Sequence, residues 1–118
     1  MQAKPVRSQG LIQFGIILLV LVTASIHLYL ATEMWAIGMS GTLFLLNGLG
    51  YLGLLGALFL PLPFLDSFRP LVRIVFLLYT LITIAAWAVI GQRDAFGYID
   101  KTVEVALVIL LWIYRPGK

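Results

Sequence analysis

The chain has 118 residues, 62% hydrophobic and 11% charged, with eight Lys or Arg against five Asp or Glu and a net charge of +3. Soluble domains carry about 25% charged residues, so a water-facing globular domain is excluded, and the length leaves room for one domain without a soluble module. Cysteine is absent, which removes disulfides, thiolate metal sites and cysteine nucleophiles; the basic residues flank apolar runs instead of forming a patch, so nucleic acid is not an expected partner.

Four apolar stretches fill the chain, at about residues 11–31, 38–60, 70–91 and 98–114. A helix needs about 20 apolar residues to cross a ~30 Å hydrocarbon layer, so each reads as one membrane span. Residues 1–10 are polar, contain Pro5 and Gly10, and read as a surface arm. Lys4 and Arg7 before an apolar run resemble the start of a secretory signal, but the run outlasts an h-region and no A-x-A site follows. Gly38 to Gly41 opens the second span, which carries Gly48, Gly50, Gly53 and Gly56. Gly50, Gly53 and Ala57 fall on one helical face, where small residues let backbones approach closely in lipid. Pro61 and Pro63 end this span, and Pro70 suits the first turn of the third, with Asp66 or Ser67 as its N-cap. Trp112 and Tyr114 anchor the far end of the fourth span.

Basic residues set the orientation. Lys4, Arg7, Arg69, Arg73, Arg115 and Lys118 share one side of the four-span layout, against Arg93 and Lys101 on the other. The positive-inside rule places both termini in the cytoplasm. Arg69 and Arg73 are candidates to hold lipid phosphates, beside their plainer role as orientation signals.

Polar residues inside spans turn towards protein or water. Counting 1.5 Å per residue, His27 lies about 6 Å and Glu104 roughly 9 Å below the same boundary. Lys101 and Asp100 lie within one turn of Glu104, while Asn47 sits deeper in span two. A proton-titrating or cation-binding cluster of His27 and Glu104 is one reading; an interhelical hydrogen bond that fixes packing is the other. Asp100 and Glu104 also fit a solvated helix start, favoured by the positive N-terminal dipole. Thr83 and Trp87, with Phe76 and His27 nearby, are candidates to line a quinone or lipid cleft, and equally fit core packing. One histidine and a few carboxylates make a weak metal set, and no Gly-rich phosphate loop occurs outside a span.

The size and four-span layout resemble the small multidrug-resistance transporters. The essential span-one glutamate of that family has no counterpart in the apolar run Ile16 to Val22, so its drug–proton exchange is not expected here. In layout the chain is more similar to the small uncharacterised four-helix integral membrane proteins of bacteria and archaea.

The expectation is an all-α, four-transmembrane-helix antiparallel bundle, a single multi-pass domain of the inner or plasma membrane with both termini cytoplasmic. The expected function is non-enzymatic and cofactor-free: an accessory subunit of a larger membrane complex, or a homo-oligomer, with lipid and another membrane protein as partners. The alternatives are a small proton- or ion-coupled transporter or channel, and a lipid- or quinone-binding protein.

Overall fold

A computed structural model describes residues 3–91 and 93–115, with side chains from Gln9 to Gly91 and from Arg93 to Arg115. The expectations for the Lys4, Arg7 and Lys118 side chains lie outside the described residues. Four α-helices and no strand occur among those residues: α1 (Ala3–Ala36), α2 (Thr42–Phe59), α3 (Arg69–Ile90) and α4 (Ala95–Ile113), with a short 3₁₀ helix at Pro63–Phe68 leading into α3. Three segments are long and apolar enough to cross a membrane, namely Gln9–Ala36, Thr42–Phe59 and Pro63–Ile90. The first half of α4 differs because it carries Asp100, Lys101 and Glu104.

Several boundaries differ from the sequence expectation, each for a local reason. The polar N-terminal segment is helical from Ala3 onward. Pro5 falls in the first turn, where a missing N–H breaks no helical bond. At its other end α1 passes Ala31 and continues to Ala36. Gly38 then closes α1, where it was expected to open the next span. Its φ of +82° is left-handed, and its N–H donates to the Trp35 carbonyl at 3.1 Å while the Met39 N–H donates to Met34 at 2.9 Å. That bond pair is a Schellman closure, for which glycine is the usual residue.

The 3₁₀ helix runs directly into α3, so neither Asp66 nor Ser67 serves as its N-cap. Phe68 holds that position without a side-chain bond, and Asp66 instead pairs with Arg69 at 3.2 Å. α4 starts three residues before the expected Tyr98, because the Asp94 side chain caps it by accepting from the Gly97 N–H at 2.8 Å.

α1 packs against α2 and α4, and α3 packs against α4 and α2. Ile16, Val20, Leu58, Phe76, Leu107 and Leu111 are buried between them. Most of the outward surface is apolar: Val89 is 82% exposed and Leu43 79%. Faces of this kind are incompatible with water over a whole molecule and compatible with lipid.

The glycines divide by contact. Gly48 is buried against Leu28 and the Ala24 carbonyl, and Gly41 is buried against the Ala31 backbone, so these two seat α2 on α1. Gly50 lies under the Tyr79 hydroxyl of α3. Gly53, expected on the packing face, is exposed with no atom near its missing Cβ. Helix spacing placed Gly50, Gly53 and Ala57 together, but α1 meets the other side of α2. Ala57 is half-buried, and its carbonyl accepts from Arg69 at 3.1 Å.

Candidate functional site

The polar cluster is assembled by three helices. α1 supplies Thr23 and His27, one turn apart on the face turned to α4. α2 supplies Tyr51. α4 supplies Asp100, Lys101 and Glu104, whose i, i+1 and i+4 spacing gathers them on one side of the helix. His27, Tyr51 and Glu104 each lie nine residues from the end of the helix nearest the α1–α2 and α3–α4 connections. At 1.5 Å per residue this is about 14 Å from each helix end, farther than the expected span ends gave, because α1 extends beyond Ala31 and α4 begins before Tyr98.

Every member is buried. Thr23, Tyr51 and Glu104 are 0% exposed, His27 and Asp100 3%, and Lys101 9%. The reading of Asp100 and Glu104 as a solvated helix start is therefore corrected: α1 covers that face of α4. Thr23 Oγ1 donates to Asp100 Oδ1 at 2.5 Å and lies 3.3 Å from Glu104 Oε2. The Tyr51 hydroxyl donates to Glu104 Oε2 at 2.7 Å. Lys101 Nζ bridges Asp100 Oδ2 at 3.1 Å and Glu104 Oε1 at 2.5 Å. Glu104 Oε1 makes no hydrogen bond of ordinary geometry, so the ammonium holds it by charge rather than direction.

His27 is oriented by its own helix. Its Nδ1 lies 2.8 Å from the Thr23 carbonyl oxygen. That acceptor requires an N–H at Nδ1 and turns Nε2 towards the carboxylates. Nε2 lies 3.6 Å from Asp100 Oδ2 and 3.9 Å from Glu104 Oε2, beyond ordinary hydrogen-bond length. The Phe44 and Tyr51 rings flank the imidazole with centroids at 6.1 and 5.8 Å. His27, Asp100 and Glu104 can each offer one ligand atom within 4.8 Å of the others. The cation-binding reading of the sequence already pairs His27 with Glu104 and sets Asp100 beside it, although these residues are divided between the first and last helices.

The remaining candidates lie elsewhere. Asn47 is a partner of Tyr79, whose hydroxyl donates to the Asn47 carbonyl at 2.8 Å and lies 3.2 Å from its Oδ1. Thr83 Oγ1 donates to the Tyr79 carbonyl at 2.9 Å. Trp87 stacks edge-on against Tyr98 at 5.3 Å, with the Arg93 guanidinium 4.2 Å over its ring. Thr23 and Tyr51 are the cluster members that sequence reasoning did not select. Thr23 shares the His27 stripe, which was a usable signal; Tyr51 sits among glycines and leucines and gave none.

Arg69 and Arg73, considered for lipid phosphates, point their donors at helix ends. Arg69 donates to the carbonyls of Ala57, Leu58 and Leu60 at the end of α2. Arg73 donates to Leu111 at 2.7 Å and also to Trp112, at the end of α4. Arg93 donates to the Ala88 carbonyl near the end of α3. Among the described residues none of the four α-helices has a basic residue in its own last turn, so these cations complete the unpaired carbonyls and oppose the negative dipole end from a distance in sequence.

A family model described as a family of unknown function (DUF7475) matches residues 2–114. The chain belongs to that family. No curated protein and no solved structure matches it.

Proposed function

We propose that this is a non-enzymatic, four-span membrane protein with both termini cytoplasmic, an antiparallel bundle built around a cation-binding cluster of His27, Asp100 and Glu104. The observation that carries the reading is geometric: buried His27, Asp100 and Glu104 each turn one ligand atom towards a common point, within 4.8 Å of one another. Buried carboxylates in a low-dielectric interior are favoured beside cations, and Lys101 supplies one such partner. Ionisable residues within spans mark ion pathways or binding sites as a rule.

Entry is proposed from the end bearing the α1–α2 and α3–α4 connections, the outer face in this orientation, because Lys101, the most exposed cluster member, lies towards it. Beyond the cluster the interior is closed by Val20, Phe76, Leu107 and Leu111. Transport through one copy therefore requires helix movement to open the inner side. The test is reconstitution into liposomes with a cation gradient. Wild type should pass the ion, and Glu104→Gln should abolish flux while keeping its helicity and elution volume. Flux unchanged in Glu104→Gln would defeat the reading.

A second role, as an accessory subunit of a larger complex or a homo-oligomer, is supported by Gly53. Its open, exposed position leaves room for another helix to approach the α2 backbone. Gentle purification from the native membrane should then yield a complex, and recovery only as a free monomer would count against it.

A further inference from the structure

We propose that the site takes one divalent transition-metal ion of the zinc class, bound by His27 Nε2, Asp100 Oδ2 and Glu104 Oε2, in competition with the Lys101 ammonium. The proposal rests on the cation-binding reading and names its ligand. Three independent features point to a metal ion. The first is the imidazole. It is 3% exposed, and among the described residues its Nε2 has no hydrogen bond, although two carboxylate oxygens face it at 3.6 and 3.9 Å. Zinc bonds of 2.0–2.2 Å at tetrahedral angles separate neighbouring ligand atoms by about 3.3–3.6 Å. The three ligand atoms lie within 4.8 Å of one another, so a contraction of up to about 1.5 Å brings them onto one ion.

The second feature is the outer support. Metal-binding histidines characteristically donate their other ring nitrogen to a carbonyl or carboxylate, which fixes ring orientation. The Thr23 carbonyl, 2.8 Å from Nδ1, does so here. The carboxylates are oriented too: Thr23 Oγ1 donates to Asp100 Oδ1, the oxygen not assigned to the ion, and the Tyr51 hydroxyl donates to Glu104 Oε2 itself, which keeps a second lone pair for the ion. The donor set itself, one imidazole nitrogen and two carboxylate oxygens, suits zinc and its neighbours better than calcium or magnesium.

The third feature is Lys101. Its ammonium sits at 3.1 Å from Asp100 Oδ2 and 2.5 Å from Glu104 Oε1, where it stabilises the carboxylates in the metal-free state. A divalent ion beside it would be repelled at short range. Lys101 is the most exposed member of the cluster, and its flexible stem can carry the head outward to the interface. Once it has moved, the ion and two carboxylates are neutral together. Lys101 thus acts as a built-in competitor that makes binding reversible.

The experiment uses full-length, untagged protein in detergent, titrated with Zn²⁺ by calorimetry and with Co²⁺ by visible absorption. Wild type should bind one ion per chain. Lys101→Met should bind at least tenfold more tightly, a gain that misfolding cannot produce. His27→Gln and Glu104→Gln should each weaken binding at least tenfold, with folding checked by circular dichroism and gel filtration. Absence of stoichiometric binding in both wild type and Lys101→Met would overturn the proposal. So would binding indifferent to His27 and Glu104, which marks an adventitious site. Glu104-dependent flux of a monovalent cation without zinc binding would overturn the metal assignment alone and leave the cation-binding reading standing.

Discussion

Glu104 links the three helices of the cluster more directly than any other side chain. It accepts from Tyr51 of α2, faces His27 and Thr23 of α1, and pairs with Lys101 of its own helix. Removing one partner from a buried ionic network leaves the others uncompensated, at a cost of about 3–5 kcal/mol. Glu104→Ala should therefore lower the unfolding free energy in mixed micelles by that amount, and a loss below about 1 kcal/mol would show that the network is not coupled. Thr23→Val should cost about 1–3 kcal/mol, since Asp100 Oδ1 loses its donor, and Thr23→Ser should restore most of it. Much of the cluster was legible from residue type and depth alone: His27, Asp100, Lys101 and Glu104 are the only His, Asp, Glu, Lys or Arg residues of their spans. Tyr51 was not, because a lone tyrosine in an apolar span reads equally as an anchor, a core residue or a hydrogen-bond donor.

At the scale of elements, helix ends depend on contacts distant in sequence. Arg73 stands 38 positions from Leu111, whose carbonyl it completes. Arg73→Met should fray the last turn of α4, seen as faster amide exchange at residues 111–114, with a loss of about 1 kcal/mol. If those amides keep wild-type protection, the arginine is not the cap. The glycines of α2 give an opposed pair. Gly48→Val should separate α1 from α2 and cost about 1–3 kcal/mol, because a Cβ there meets Leu28 at 3.0 Å and the Ala24 carbonyl at 3.2 Å. Gly53→Ala should instead stabilise the isolated chain by about 0.5–1 kcal/mol, as alanine is the better helix former in open space. Equal losses in a thermal denaturation series would contradict this division. Sequence spacing identified a small-residue face on α2, but which side of a helix meets which neighbour is a tertiary matter.

For the whole molecule, the proposed orientation makes a prediction suited to a chain without cysteine. Single cysteines at Ile37 and Asp94, beside the connections near the cluster, should react with a membrane-impermeant maleimide added outside intact cells. A cysteine at Phe64 should react only after permeabilisation. The reverse pattern would place the cluster's entrance in the cytoplasm and the termini outside. The direction from which a cation reaches Lys101 would change with it, although the geometry of the ligands would not.

By itself the sequence determined an all-α chain with apolar helices long enough to cross a membrane, because length, hydropathy and proline position act locally and require no knowledge of neighbours. It also placed histidine, lysine and two carboxylates within helices, while leaving Asp100 and Glu104 open to a reading as a solvated helix start. Only the tertiary structure decided that α1 and α4 close over these groups and that Tyr51 reaches Glu104. It likewise turned the arginines onto carbonyl ends and left Gly53 facing outward. Those outcomes depend on the rotation of each helix about its axis, which is set by the packing of all four together.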